Sequence, residues 1–417
     1  MIKKIPIEEI RIGMYLEKLP GSWLERSFWR SSFMINDVKT AKKIIETGCK
    51  YFWIDTEKGR DVATAEEKAK ERAAAASKNR VDEIASFFAE PSKNVRKPSK
   101  EELKEDAVAK TESAMATASA VMARSKEAVD AFFSSARAGQ PINMQEAQKV
   151  VDEIVDSVEE SPHAMVSVAR KKEAFDFTAA HAVAVCSLMV AMAKELKLSD
   201  SEVREAGLAG LMHDLGIVSS KPEILRQHGM TMTSEALFET HHQDGYELLL
   251  KNGDVSQAVL DVCLHHHEAV DGSGVPGGLK AAETSQLAKM AKICDMYDSM
   301  TSDHDHRVGM PPPFAIRQML KKSDTELDAT LLEAFVRTVG VYAVGSLVRL
   351  KSDKLAIVME QSTKSLTMPK VKVFYSIKSE LRVAPEIVDL STSITDEIVS
   401  AEDPAKWRLD NLDALWR

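Results

Sequence analysis

The residues of this chain that are best suited to chemistry are histidines and aspartates that recur between His181 and Asp295. Between these two lie the pair His213-Asp214, His241 and the run His265–His267. The chain has 11 histidines and none precedes His163, which a dispersed structural use would not explain. Because neutral imidazole and carboxylate groups together suit Mn, Fe, Zn and similar divalent metals, the stretch is typical of a metal-dependent hydrolase site.

Each of these residues alone favours an ordinary structural role, and it is their combination that predicts a metal site. The pair His213-Asp214 would more often form a local hydrogen bond, and a lone helical histidine such as His181 is more often a satisfied core residue. Three successive histidines cannot all face one direction, so at most two of His265–His267 should be ligands. Asp295 lies among apolar residues, where an unpaired charge is costly unless a metal compensates it. Asp298, one turn later, could instead accept a hydrogen bond from a ligand histidine.

Several helices must position these side chains. Apolar residues recur at helical spacing over Ala174–Leu196, Ser199–His213, Thr233–Lys251, Val255–His266 and Thr284–Met300. Upstream, Asn143 followed by Glu146 predicts the N-terminal cap of a further helix. The region is therefore predicted to be all-α, with the candidate ligands projecting inward from several helices.

The rest of the chain frames this helical region. Residues 1–65 alternate short apolar runs with turn signals and predict a small α+β accessory domain. The segment 66–110, rich in Lys, Glu, Ala, Ser and Pro, predicts a charged helix and linker. The helical catalytic domain is predicted over 111–340, and β-branched residues predict a short β extension with a C-terminal tail over 341–417. The predicted fold class is mainly α.

The composition of the 417-residue chain bounds its class. Hydrophobic residues make up 44% and charged residues 29%, as in a globular protein. The net charge of −9 argues against a nucleic-acid partner, which would usually require a basic surface. The four cysteines lack CxxC spacing and predict reduced, mostly buried thiols. No apolar signal core or membrane-length apolar run is present, so we predict a cytoplasmic protein without a membrane span.

Three motifs resemble the signatures of a known family. They are His213-Asp214-Leu215-Gly216, His266-His267-Glu268 and Asp271-Gly272-Ser273-Gly274-Val275-Pro276. In order and spacing, over about Ala174 to Gly309, they look like the HD-GYP family, bacterial HD-superfamily phosphodiesterases that act on cyclic di-GMP. The resemblance implies an HD-type helical bundle metallohydrolase domain. The small N-terminal domain and the β extension also resemble segments that accompany one subgroup of these proteins.

The resemblance implies two groups of metal ligands. One group corresponds to His181, His213, Asp214 and Asp295. The other corresponds to His241, His266 and His267, with Asp214 bridging the two ions. Some members hold a third metal through a Glu one turn before the first histidine, but here that position is Phe177, so two divalent ions are expected. Histidine and carboxylate ligands without thiolate favour iron or manganese, with magnesium, nickel and zinc left open.

The implied reaction is hydrolysis of cyclic di-GMP to linear pGpG, with GMP as the product of a second round. Two neighbouring cations neutralise phosphoryl oxygens and lower the pKa of a bridging water, so that hydroxide is present near neutral pH. His213 and Asp214 are the predicted catalytic residues, and the predicted substrate contacts are Arg307, Lys221, Gly274 and Pro276. Expected partners are cyclic di-GMP, proteins that bind the N-terminal domain or the GYP-like loop, and a second copy in a homodimer.

The chain departs from the family pattern at four places. The Lys after the HD-x-G run is Ile217, and the GYP tyrosine is Val275. The Arg-Trp pair after Glu268 is Ala269-Val270, and the Arg-Pro-Tyr motif is His304-Asp305-His306, although Arg307 keeps a cation. The missing Lys and Arg remove two phosphate contacts, each worth roughly 1.5–3 kcal/mol as a charged hydrogen bond.

These departures leave more than one function open. The leading hypothesis is a dimetal cyclic di-GMP phosphodiesterase whose activity is impaired by Ile217 and Val275. The alternative is a catalytically weak or inactive cyclic di-GMP receptor in bacterial signalling. A third, an HD hydrolase of another nucleotide, is disfavoured because the Gly-Ser-Gly-x-Pro loop is not a general HD feature.

Overall fold

The computed structural model describes residues 2–18, 32–36, 38–46, 50–62, 105–169, 177–219, 235–303, 308–362, 365–393, 396–407, 409 and 412–415. The chain divides into two compact units, Met1–Ala76 and Ser77–Arg417. The predicted domain boundaries stay predictions, and most of the predicted segment 66–110 lies outside the described residues.

In its described residues the first unit is a small antiparallel sheet with one α-helix. Its elements are β1 (Ile2–Pro6), β2 (Tyr15–Lys18), β3 (Phe33–Met34), α1 (Val38–Glu46) and β4 (Tyr51–Asp55), with strand order β1-β4-β2-β3. Alternate residues of the strands point to opposite faces, so Ile5, Phe52 and Ile54 enter one core with Ile44 of the helix. The α+β character predicted for this end of the chain is confirmed.

The second unit is mainly helical. The described helices that precede its sheet are α2 (Glu105–Arg137), α3 (Met144–Glu160), α4 (Pro162–Ala169), α5 (Phe177–Glu195), α6 (Asp200–Met212), α7 (Leu215–Ser219), α8 (Glu235–Asn252), α9 (Gln257–His265), α10 (Gln286–Thr301), α11 (Pro312–Leu320) and α12 (Ala329–Val339). Side chains cap several of them as the sequence leads one to expect. Asn143 accepts from the backbone N–H groups of Gln145 and Glu146, and Ser199 forms a reciprocal capping box with Glu202.

Helix α5 lies at the centre of this unit. Its residues Ala182–Ala193 are all buried, because the helix is apolar on every side and packs against α2, α3, α4, α6, α10 and α12. His181, one residue before this run, is therefore held in a fixed place. Among the helices of the described residues, none combines the length and apolarity needed to cross a membrane.

The end of the chain forms a second antiparallel sheet. Its strands are β5 (Leu347–Leu350), β6 (Lys354–Glu360), β7 (Lys370–Ser376), β8 (Leu381–Asp389) and β9 (Ile398–Ala401), in the order β8-β7-β6-β5-β9. A short helix, α13 (Pro404–Trp407), follows. The predicted β extension is confirmed, but β8 and β9 were not predicted. They are edge strands; β8 is largely exposed and contains Pro385, so it lacks the alternation of a half-buried strand.

Candidate metal centre

Five regions of the helical unit converge on one buried cluster of imidazoles and carboxylates. His181 comes from α5, His213 and Asp214 from the turn between α6 and α7, His241 from α8, His266 and His267 from the end of α9, and Asp295 from α10. Their ligand atoms form two groups, each within 4.8 Å: the first group is His181, His213 and Asp295, and the second group is Asp214, His241, His266 and His267. All seven residues predicted as ligands are thus brought together.

The turn between α6 and α7 lets two adjacent residues, His213 and Asp214, both direct their side chains into the cluster. Helix α6 ends at Met212; its C-cap His213 keeps right-handed helical dihedral angles, and Asp214 completes the turn before α7 begins at Leu215. Gly216 allows α7 to lie against α8, because a Cβ atom there would be 1.8 Å from the His241 carbonyl oxygen. The glycine of the motif therefore sets the distance between Asp214 and His241.

Asp214 lies between the two groups, and each of its oxygens faces a different one. Oδ2 is 3.4 Å from His181 Nε2 and 3.3 Å from His213 Nε2. Oδ1 is 3.4 Å from His241 Nε2 and 3.5 Å from His266 Nε2. These separations exceed those of good charged hydrogen bonds, while a carboxylate with one oxygen toward each group suits a bridging ligand.

The histidines are oriented by their other ring nitrogen. Nδ1 of His181 is 2.6 Å from Asp298 Oδ2, and Nδ1 of His213 is 2.8 Å from the Gly210 carbonyl oxygen. Nδ1 of His266 is 3.0 Å from the Val262 carbonyl oxygen. In each case Nδ1–H donates outward, so Nε2 carries its lone pair into the cluster, as metal-binding histidines do.

Nε2 atoms also crowd together in the second group. Nε2 of His241 lies 3.2 Å from that of His266 and 3.0 Å from that of His267. In the first group, His213 Nε2 is buried and makes no hydrogen bond with any described residue. Converging nitrogen lone pairs and a buried nitrogen without a hydrogen bond are satisfied by a cation, so the cluster fits divalent metal ions.

The electrostatics around Asp214, His266 and His267 favour the protonation states that metals require, whereas at His181 and His213 burial is outweighed by nearby carboxylates, which raise the pKa of both imidazoles. Burial opposes ionisation of Asp214, but the imidazoles of His213, His181 and His266 outweigh it and hold the pKa of its carboxyl well below the usual range. Burial lowers the pKa of His266 to about 4, although Asp214 opposes this. Burial, reinforced by His266, likewise holds the pKa of His267 well below its ordinary value. Asp214 is therefore ionised and the imidazoles of His266 and His267 are neutral near neutral pH.

His265 does not join either group. Its Nδ1 is 2.8 Å from Asp261 Oδ1, one turn earlier on α9. Of the three successive histidines, two therefore face the cluster. The carboxylate–imidazole pair of His265 is comparable to that of His181 and Asp298 but lies outside both groups.

Asp298→Asn should weaken metal binding by about 10–100-fold, because the charge that orients and polarises His181 is lost while the side-chain volume is kept. Metal titration of the purified variants followed by calorimetry measures this. Asp261→Asn is the matched control, since it alters the similar pair with His265, and its metal affinity should equal that of the unmodified protein. Equal affinities in both variants would contradict the orienting role of Asp298.

The loop that carries Gly274 and Pro276 is anchored beside the cluster by Glu268. This carboxylate is 2% exposed and accepts hydrogen bonds from the backbone N–H groups of Gly277 at 2.6 Å and Leu279 at 2.9 Å. Gly274 passes so close that a Cβ atom there would be 2.2 Å from the Ala269 nitrogen. Sequence analysis identified Glu268 as part of a motif but not its anchoring role; an acidic residue directly before a glycine-rich loop was the available signal.

The other predicted site residues have different outcomes. Val275 is 41% exposed, so the loop presents an aliphatic side chain where the family has tyrosine. Ile217 lies in the first turn of α7, close after Asp214. Lys221 and Arg307, predicted as substrate contacts, lie outside the described residues, as do His304 and His306.

Comparison with known proteins gives two family matches. Residues 153–331 match the HD domain family, and residues 2–147 match a family described as "Domain of unknown function (DUF3391)". The chain is 40% identical over 419 positions to a Pseudomonas aeruginosa protein named cyclic di-GMP phosphodiesterase, covering 100% of this chain and 96% of that protein.

More distant relatives match only part of the chain. A Thermotoga maritima cyclic di-GMP phosphodiesterase is 28% identical over 148 residues, 35% of this chain and 40% of that protein. The 3'3'-cGAMP-specific phosphodiesterase 1 of Vibrio cholerae is 29% identical over 174 residues, 42% of this chain and 40% of that protein. Among solved structures, an HDG"Y"P protein from Bdellovibrio bacteriovorus aligns with a TM-score of 0.44 and 15% identity, covering 80% of this chain and 98% of that one.

Proposed function

We propose, from the premise that this chain belongs to the HD-GYP family of HD-domain phosphodiesterases, that it hydrolyses cyclic di-GMP at the cluster around Asp214. The relative that matches nearly its whole length carries this activity in its name, which supports the choice of substrate. The observation that carries the proposal is the position of Asp214, with one oxygen toward each group of imidazoles.

The chain would hold two divalent ions. His181, His213 and Asp295 would bind one, and His241, His266 and His267 the other, with Asp214 shared. When bound, such ions neutralise phosphoryl oxygens and make water nucleophilic near neutral pH. Neither group contains a thiolate, which favours iron or manganese.

The residues of the chain then have distinct tasks. The buried carboxylates and imidazoles would hold the ions that bind the scissile phosphate, and Asp298 would keep His181 in the required tautomer. The loop with Gly274 and Pro276 lies at the end of the His266-His267 run, where it would contact the nucleotide. Lys221 and Arg307 are the proposed phosphate-binding cations. Opening one phosphodiester bond yields linear pGpG, and cleavage of the second yields GMP.

The proposal is tested by incubating manganese- or iron-loaded protein with cyclic di-GMP and separating the products by chromatography. Linear pGpG should accumulate first, followed by GMP. A parallel reaction with 3'3'-cGAMP defines the substrate range. Tight binding of cyclic di-GMP without product over hours would refute hydrolysis.

Binding of cyclic di-GMP without hydrolysis would correspond to a receptor function, and two substitutions favour that function. Ile217 replaces the lysine with which the family contacts phosphate or protonates the leaving oxygen, and Val275 replaces the aromatic hydroxyl of the GYP tyrosine. With the metal ligands intact, such a protein would bind the nucleotide and transmit the bound state through its N-terminal unit or a partner.

Ile217→Lys should raise turnover of cyclic di-GMP by about 10-fold or more, since a charged hydrogen bond to phosphate is worth roughly 1.5–3 kcal/mol. Steady-state kinetics with saturating metal measures the gain. Ile217→Met, of similar length but without charge, is the control and should leave the rate unchanged. An equal rate in both variants would show that the missing cation does not limit catalysis.

A further inference from the structure

A half-buried lysine links the two ligand groups. Lys292 lies on α10, three residues before Asp295, so the two side chains share one side of that helix. Its Nζ donates a hydrogen bond of 2.9 Å to the His267 carbonyl oxygen. The lysine thus connects the helix that carries a ligand of the first group to a ligand of the second.

His267 needs such support because it lies beyond the end of α9. The helix ends at His265 and its C-cap is His266, so His267 lies beyond the regular helix, where its carbonyl oxygen accepts from the Val275 N–H at 3.4 Å as well as from Lys292. Its imidazole must nevertheless reach Nε2 of His241, 3.0 Å away. The hydrogen bond from Lys292 therefore fixes the backbone of His267, the residue whose imidazole must reach His241.

The pKa of Lys292 reflects both its burial and the carboxylates near it. Burial disfavours the ammonium form and lowers its pKa, while the carboxylates of Asp295, Glu326 and Glu268 oppose that shift. The carboxylates that act on the Lys292 ammonium thus belong to α10, to the residue that anchors the loop and to the turn before α12.

We propose that Lys292 is a positioning residue that fixes His267 relative to Asp295 and so keeps the second metal-ligand group intact. This inference rests on the proposed two-ion site. Lys289, one turn earlier on α10, provides the comparison, because it also donates to a backbone carbonyl, that of Ala281 at 3.2 Å, and pairs with Asp328 at 3.3 Å. Its partners hold no candidate ligand.

The test compares manganese binding by Lys292→Met, Lys292→Arg and Lys289→Met in the full chain. In Lys292→Met we expect one ion to bind with unchanged affinity and the second about 10–100-fold more weakly. Lys292→Arg, which keeps a charged donor, should restore the second ion. Lys289→Met should lower the melting temperature but retain both ions. Isothermal titration gives the two affinities, and the electron paramagnetic resonance signal of coupled manganese reports whether both sites are filled.

The outcomes separate this inference from the function on which it rests. A single ion in the unmodified protein would overturn the proposed two-ion site itself. Two ions in the unmodified protein and equal affinities in Lys292→Met would overturn the role of Lys292 alone. If Lys292→Met does not fold, Lys292→Gln, which keeps a polar but shorter side chain, is measured in the same way, and unchanged binding of the second ion there also overturns it.

Discussion

Asp214→Asn should reduce hydrolysis of cyclic di-GMP by more than about 100-fold and lower the metal content of the purified protein. Asparagine keeps the size of the side chain but loses the charge and one of the two oxygens that face the two imidazole groups. The expected loss exceeds the 10–100-fold that follows when a residue supporting a metal ligand is replaced. Product chromatography and elemental analysis of the same preparation measure both effects.

Thermal unfolding distinguishes loss of metal binding from loss of fold in this variant. A ligand at 100 times its Kd stabilises a folded protein by about 2.7 kcal/mol, so manganese should raise the melting temperature of the unmodified protein. Metal-free Asp214→Asn should melt lower than the metal-free parent, because the imidazoles that hold the pKa of this carboxyl below its usual range lose their anionic partner. It should gain little from added manganese. An equal gain in both proteins would refute the bridging assignment.

Gly216→Ala should destabilise the helical unit by about 3 kcal/mol and reduce metal binding at the same time. The added Cβ would lie 1.8 Å from the His241 carbonyl oxygen and 2.7 Å from the Gly245 nitrogen, and both are backbone atoms that can yield only if α7 and α8 separate. Overpacking of a core costs typically 1–3 kcal/mol, and a backbone clash belongs at the upper end. Urea unfolding measures the stability, and metal titration measures the displacement of Asp214 from His241.

Gly207→Ala is the matched control for that substitution. Its Cβ would meet the methyl groups of Val151 and Val190 at 2.8 Å, and these contacts are with side chains and not with the backbone of α7 or α8. Alanine also favours the helical state of α6 by roughly 1 kcal/mol over glycine, which offsets part of the contact. Metal affinity should be unchanged. A loss of metal from this variant equal to that from Gly216→Ala would show that the α7–α8 distance is not what Gly216 controls.

The fold class and the membership of the candidate site were predictable for different reasons. Apolar periodicity predicted the ends of α6, α9 and α10 to within about two residues, because a helix that buries one face has apolar residues at regular helical spacing along its sequence. The HD domain match confirms the HD-type helical fold. The seven candidate ligands came from the order of short motifs, and the structure brings them together; their coordination of metal stays a prediction.

What the sequence did not reveal depends on contacts between distant segments. The hydrogen bond from Lys292 to the His267 carbonyl oxygen joins two helices whose packing no local pattern encodes. Strand β8 is held in the sheet by pairing with β7 and not by a buried face, so its residues carry little hydrophobic signal. The orientation of Asp214, with its oxygens toward different groups, likewise follows from how α6 ends.

The anchoring of the glycine-rich loop by Glu268 makes the position of the loop independent of the side chain at residue 275. Backbone N–H groups, and not the side chain at position 275, hold the loop in place. Val275 can therefore be exchanged for another residue while the neighbouring histidines keep their places. Residue 275 can in this way vary over generations while the candidate metal centre beside it is left undisturbed.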